Sequence, residues 1–260
     1  MDPQGGRGQA RPSRPWHGPW TADRAVAAPG TILAIGGAVI GLAAVAHPAV
    51  AHPDARHPPS AAELAAASYA FWHVVSAVGF ASAVGFACLA AGIGGVIAVQ
   101  VRATGAVGFV DVVGYLLVVL GTIGHAGLQF IDGLALGAVA TFIPIMFDLN
   151  GELHGAPFFA GPAAFAGTSL AAGLVAIGVG AIRRRVIPVR PLVSLMIGGI
   201  LVGLPVQPAS PIPWWFVTAG GLAIAAGCIA TGRWISLGRW ISLGGMTKSR
   251  LPPLPRTRLP

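Results

Sequence analysis

The sequence predicts an all-α, polytopic transmembrane helix bundle of six spans, with both chain ends on the cytoplasmic side. Three observations carry this reading. The first is composition: 55% of the 260 residues are hydrophobic and 9% are charged, where a soluble domain carries charge on about a quarter of its positions. Such a chain cannot cover its own surface with polar groups. The second is a set of stretches of about twenty residues without charge, each matching a hydrocarbon layer about 30 Å thick at about 1.5 Å rise per residue. They are apolar on all sides, which selects helices over the alternating strands of a barrel. The third is the placement of the arginines. In a six-span arrangement Arg7, Arg11, Arg14 and Arg24, then Arg102, then Arg183, Arg184, Arg185 and Arg190, then the C-terminal cluster all fall on one side, as the positive-inside rule requires.

The formal net charge of +8 is therefore a topological signal. It does not point to a nucleic-acid partner, because the cations sit in tails and one short loop and form no domain surface. The expected partner is the lipid bilayer, with a homo-oligomer or a membrane complex as further possibilities. The preference for arginine (Lys248 is the only lysine) with abundant Ala, Gly and Pro fits a prokaryotic protein of the cytoplasmic membrane.

In chain order, residues 1–29 are rich in Pro, Gly and Arg and bury too little apolar surface to offset the entropy of ordering, which predicts a disordered cytoplasmic tail. The first span is expected over 31–51. Ala44-Val45-Ala46 and Ala49-Val50-Ala51 also fit an A-x-A cleavage site after an apolar region, so removal of this segment as a signal peptide is the competing expectation. A polar loop with His52, Asp54, Arg56 and His57 follows. Ser60 and Glu63 have capping-box spacing and predict the start of a long helix.

The apolar part of that helix, 69–99, exceeds what a span needs. Either its outer turns stand above the membrane, or the Gly92-Ile93-Gly94-Gly95 region breaks its inner end. Further spans are expected at 107–128, 158–182, 192–206 and 212–231. The stretch 133–147 is short for a span and holds Pro144. Counting it as one would put the triple arginine outside, so it is read as a re-entrant or interfacial helix on the outer face. Residues 233–260 form a basic cytoplasmic tail in which Arg233-Trp-Ile-Ser-Leu-Gly repeats at once from Arg239. Small residues four apart, as at Gly37 and Gly41 or Gly199 and Gly203, predict close helix packing. Cys88 and Cys228 fall in separate spans and are read as small core residues.

The most informative feature is a polar stripe along the third span. Asp111, Tyr115, Thr122, His125, Gln129 and Asp132 follow steps of three and four, with Val118 filling the gap, and share one helical face. Ionisable groups inside a span cost at least about 2.5 to 3.5 kcal/mol at its centre, so they are expected to face protein or water. One functional reading makes the stripe a path or binding site for a proton or small cation, with His125 and Asp132 at the outer mouth and Asp111 at the inner one. A second places His73 at the depth of His125 and makes the two a metal site or the axial ligands of a haem. The plain alternative is a set of interhelical hydrogen bonds in a structural or accessory subunit of a membrane complex. No H-E-x-x-H, C-x-x-C, G-x-S-x-G or phosphate-loop pattern is present, so no catalytic residue is assigned and an enzyme is the less favoured class.

The chain also resembles a group of small, uncharacterised prokaryotic multi-pass membrane proteins. The resemblance rests on Phe71-Trp72-His73, Arg102-Ala-Thr-Gly105, Gly121-Thr122, Phe130-Ile-Asp132, Pro144 and Ile182-Arg-Arg-Arg-Val-Ile-Pro188, and covers residues 69–231. It implies a shared membrane fold and carries no activity, ligand or catalytic residue.

Overall fold

In the computed structural model, residues 22–51, 69–130, 157–203 and 214–238 are described. They form six helices: α1 (Ala22–Ala51), α2 (Tyr69–Thr104), α3 (Phe109–Phe130), α4 (Pro157–Arg184), α5 (Val189–Gly203) and α6 (Trp214–Ser236). Five are long and apolar enough to cross a membrane; α5, apolar but with 15 residues, is the short one. The expectation of a six-helix, all-α membrane bundle therefore holds.

The helices close into a ring in which each packs on its neighbours in chain order and α1 packs on α6. The glycines show how close these seams are. A Cβ at Gly92 would meet Leu33 at 2.6 Å, one at Gly198 would meet the backbone nitrogen of Ile224 at 2.6 Å, and one at Gly227 would meet Leu195 at 2.6 Å. In lipid, where apolar surfaces gain little by leaving the solvent, such backbone approach supplies the dispersion contacts that hold helices together. Side chains add interhelical hydrogen bonds, among them Ser194 donating to the Ala223 carbonyl at 2.8 Å and Thr218 to the Ala44 carbonyl at 3.2 Å.

Every neighbouring pair runs antiparallel, so the two short turns, 105–108 and 185–188, lie at the same end of the ring. Arg102, Arg183, Arg184, Arg185, Arg190 and Arg233 gather there and make it the basic end of the ring. The middle of the ring is filled: Leu33, Leu89, Ile93, Val96, Leu170 and Ile224 are all at most 1% exposed and belong to one continuous core. Cys88 and Cys228 pack against adjacent residues of α1, Gly36 and Gly37 respectively, and both are free thiols.

Several sequence expectations change in detail. Helix α1 begins at Ala22, so 22–29 is not tail: Val26 is buried and Gly30 packs on the Gly232 carbonyl of α6. Helix α2 runs unbroken through Gly92–Gly95. Those glycines serve close approach, Gly92 to Leu33 and Gly95 to Pro29 of α1. Helix α5 covers 189–203, three residues earlier than expected at its start. Helix α6 carries four residues of the first repeat copy, whose Ile235 is buried. The expected capping box at Ser60 and Glu63, the 133–147 element and the second repeat copy lie outside the described residues.

Candidate functional site

Among the described helices α3 packs against α2 and α4, and its inward face is the expected polar stripe. Asp111, Thr122 and His125 are buried on it together with Val118; Tyr115 and Gln129 are half-buried. Asp132 lies outside the described residues. The opposite face presents Phe109, Leu116, Leu120 and Ile123 outward, the apolar surface a span offers to acyl chains.

At the basic end the stripe closes on an ion pair. Asp111 stands in the first turn of α3, where a carboxylate suits the positive end of the helix dipole. Its Oδ2 accepts the Gly108 backbone N–H at 3.1 Å, half of a capping box. The same oxygen meets Arg184 Nη2 at 2.5 Å, and the Asp111 side chain is 2% exposed. Arg184 is the last residue of α4, and its Nη1 reaches Gln100 Oε1 on α2 at 3.2 Å and the Ala106 carbonyl at 3.4 Å. One guanidinium thereby joins α2, the 105–108 turn, α3 and α4, using the several donors of a planar fork.

The cluster is tight. A Cβ at Gly108 would meet Arg184 Nη2 at 2.6 Å, and one at Gly180 would collide with Asp111 Oδ1. Asp111 Oδ1 and Gln100 Nε2 have no hydrogen-bond partner among the described residues.

Farther along the stripe, Thr122 donates to the carbonyls of Val118 and Val119 on its own helix, at 2.8 and 3.0 Å. His125 stacks on Phe86 of α2 with ring centroids 5.0 Å apart and an interplanar angle of 14°. Its Nε2 has no partner among the described residues. Asp111 and His125 are about 21 Å apart along the helix, and the fully buried Val118 stands between them.

The sequence expectation that His73 shares the depth of His125 is corrected. Phe86 stands opposite His125, and His73 precedes Phe86 on α2 by a further 20 Å or so at about 1.5 Å per residue. His73 is exposed, so the two rings cannot ligate one haem or metal. Among the described residues no group of three or more His, Cys, Asp or Glu is placed to hold a metal ion.

Sequence reasoning found Asp111 and His125 but missed Arg184 and Gln100, reading the arginines for topology alone. The signal was available: Asp111 and Arg184 both lie at the inner ends of expected spans, and Gln100 lies in the last turns of α2, just before the four-residue turn that leads into α3.

The fold and this site define a multi-pass α-helical membrane protein with a buried ion-paired network at its basic end. No protein family matches the chain, and no curated protein or solved structure is significantly similar to it.

Proposed function

We propose that this is a cell-membrane protein of prokaryotic type that moves protons along α3, with the Asp111–Arg184 pair closing the cytoplasmic end of the path. The observation that supports it is His125, a titratable ring buried in a span and stacked on Phe86, whose Nε2 has no partner among the described residues. Intramembrane ionisable groups are costly, and function is the usual reason they persist. The proton is preferred to a metal cation because Asp111, the carboxylate within α3, is already neutralised by Arg184. An imidazole can take and release a proton, whereas a sodium or potassium ion needs oxygen ligands.

In the arrangement described, the path is shut. Val118 blocks the stripe between Thr122 and Asp111, and Arg184 caps it. Opening this end requires Arg184 to leave Asp111, so the ion pair serves as the latch. The accessory-subunit reading draws on the same ion pair, which serves equally to clamp three helices. Sidedness follows from the arginines, and the family resemblance adds a prokaryotic origin.

The test is proton flux into liposomes carrying an internal pH-sensitive dye under an imposed potential. Wild-type protein should exceed protein-free vesicles, His125→Phe should abolish the excess, and Arg184→Gln should raise it. Wild-type flux equal to that of empty vesicles would discard the reading in favour of the accessory role.

A further inference from the structure

We propose that the α4–α5 turn at the basic end is a binding site for the phosphate of an anionic phospholipid headgroup. The site is made by the guanidinium groups of Arg183, Arg185 and Arg190. These three are exposed within eight residues of chain, while Arg184 between them is turned inward onto Asp111. Among the described residues none of the three has an ion-pair or side-chain hydrogen-bond partner. Their charge is unspent.

The backbone gives a separate reason to see Arg185 as selected for its side chain. It closes α4 in a Schellman turn, its own N–H bonding the Ile182 carbonyl at 3.0 Å and the Val186 N–H the Ala181 carbonyl at 3.4 Å. That turn places Arg185 at φ 54°, the left-handed region where glycine is the unstrained residue. The equivalent positions after α2 and α6 are Gly105 and Gly238, at φ 76° and 65°. Among the described residues Arg185 is the one non-glycine at positive φ, and what the α4 end keeps in return for that strain is a guanidinium.

The level of the turn favours lipid over a soluble anion. Val186 and Ile187 beneath it are buried in the core, whereas Val189 beside Arg190 is 53% exposed on the outside of the ring. An apolar side chain on that outer surface belongs to acyl chain, so the adjacent arginines sit where hydrocarbon gives way to headgroups. Trp234 of α6 is half-buried at the same end, a residue type enriched at that interface. Basic clusters beside spans draw anionic lipid from the cytoplasmic leaflet, and guanidinium forks pair with phosphate oxygens.

The test uses the full chain in a neutral detergent, with apparent Tm followed as phosphatidylglycerol, phosphatidylcholine or inorganic phosphate is added at equal concentration. Phosphatidylglycerol should raise Tm by several degrees, the other two should not, and about 0.5 M salt, where the Debye length falls to a few ångströms, should remove most of the rise. The Arg183→Gln/Arg190→Gln variant should lose most of the lipid-induced shift. Arg185→Gly should raise the lipid-free Tm while reducing the lipid-induced shift, a pairing that a purely structural turn would not give. Native mass spectrometry should count fewer retained phosphatidylglycerol molecules on both variants. An unchanged shift and lipid count in the variants, or an equal effect of phosphatidylcholine, would overturn the proposal. An equal effect of inorganic phosphate would overturn the assignment to lipid.

Discussion

Arg184, at the end of α4, pairs with Asp111, in the first turn of α3, and the same guanidinium reaches Gln100 and the 105–108 turn. This contact holds the two tight helical hairpins of the basic end to each other. Removing one partner strands the other. For Arg184→Ala the buried carboxylate loses its counter-charge, and the expected loss of stability is about 3 kcal/mol. That is the lower end of the range for buried pairs, because Arg184 keeps 22% of its side chain exposed. The Asp111→Leu/Arg184→Leu double variant should lose less than the Asp111→Leu and Arg184→Leu single variants combined, by about 2 kcal/mol. Reversible unfolding in mixed detergent would measure the cycle, and full additivity would show that the pair contributes nothing as a pair.

Glycine positions give opposite expectations on the same helix. A Cβ at Gly121 would meet the Leu170 backbone, whereas one at Gly127 would meet nothing within 4 Å. Gly121→Ala forces α3 and α4 apart and should cost about 1–3 kcal/mol. Gly127→Ala relieves backbone entropy in a helix with no packing conflict and should stabilise by about 0.5–1 kcal/mol. Thermal unfolding of the two variants side by side measures the difference, and a shift of the same sign in both would contradict the seam described.

Hydropathy and arginine placement were sufficient for the six helices, because a span's length and flanking charge are local properties. Depth pairing between helices is not local, and it depends on where the count starts. Taken from the outer ends of α2 and α3 it puts His73 beside His125; taken from the short turn between Thr104 and Phe109 it puts Phe86 there, as the structure does. A tight turn fixes register and a long connection does not. Of the two readings of the long second helix, a break at residues 92–95 fails for a related reason: glycine weakens a helix in water, but in lipid its missing Cβ admits a neighbour, here Leu33 and Pro29. The partners of Asp111 could be found only by combining topology with the inner turn, since Arg184 is distant in sequence and one of three adjacent arginines.

The left-handed residue after α4 offers a direct test of strain. Arg185→Gly should stabilise the protein by about 1 kcal/mol, because the turn demands a positive φ that a Cβ resists. At Gly105, with φ 76° after α2, the reverse change Gly105→Ala should destabilise by about 1 kcal/mol for the same reason. Paired thermal melts in lipid-free detergent test both signs. A destabilised Arg185→Gly protein would mean that the side chain makes a stabilising contact that outweighs the backbone cost.

His125 and Phe86 allow packing to be separated from chemistry. Phe86→Ala removes the ring stacked on the imidazole and leaves a void between α2 and α3, which should cost about 3 kcal/mol. His125→Phe retains an aromatic ring against Phe86 but deletes Nε2, a buried polar atom with no partner among the described residues. An apolar replacement for an unsatisfied polar group is close to neutral or favourable, so this variant should match wild type or exceed it by up to about 1 kcal/mol. If proton movement depends on the ring nitrogen, the same variant should conduct nothing. Stability retained with flux lost would assign His125 to transport. Stability lost by more than about 1 kcal/mol would mean instead that Nε2 is held by an ordered water, and would give the histidine a structural reason to be there.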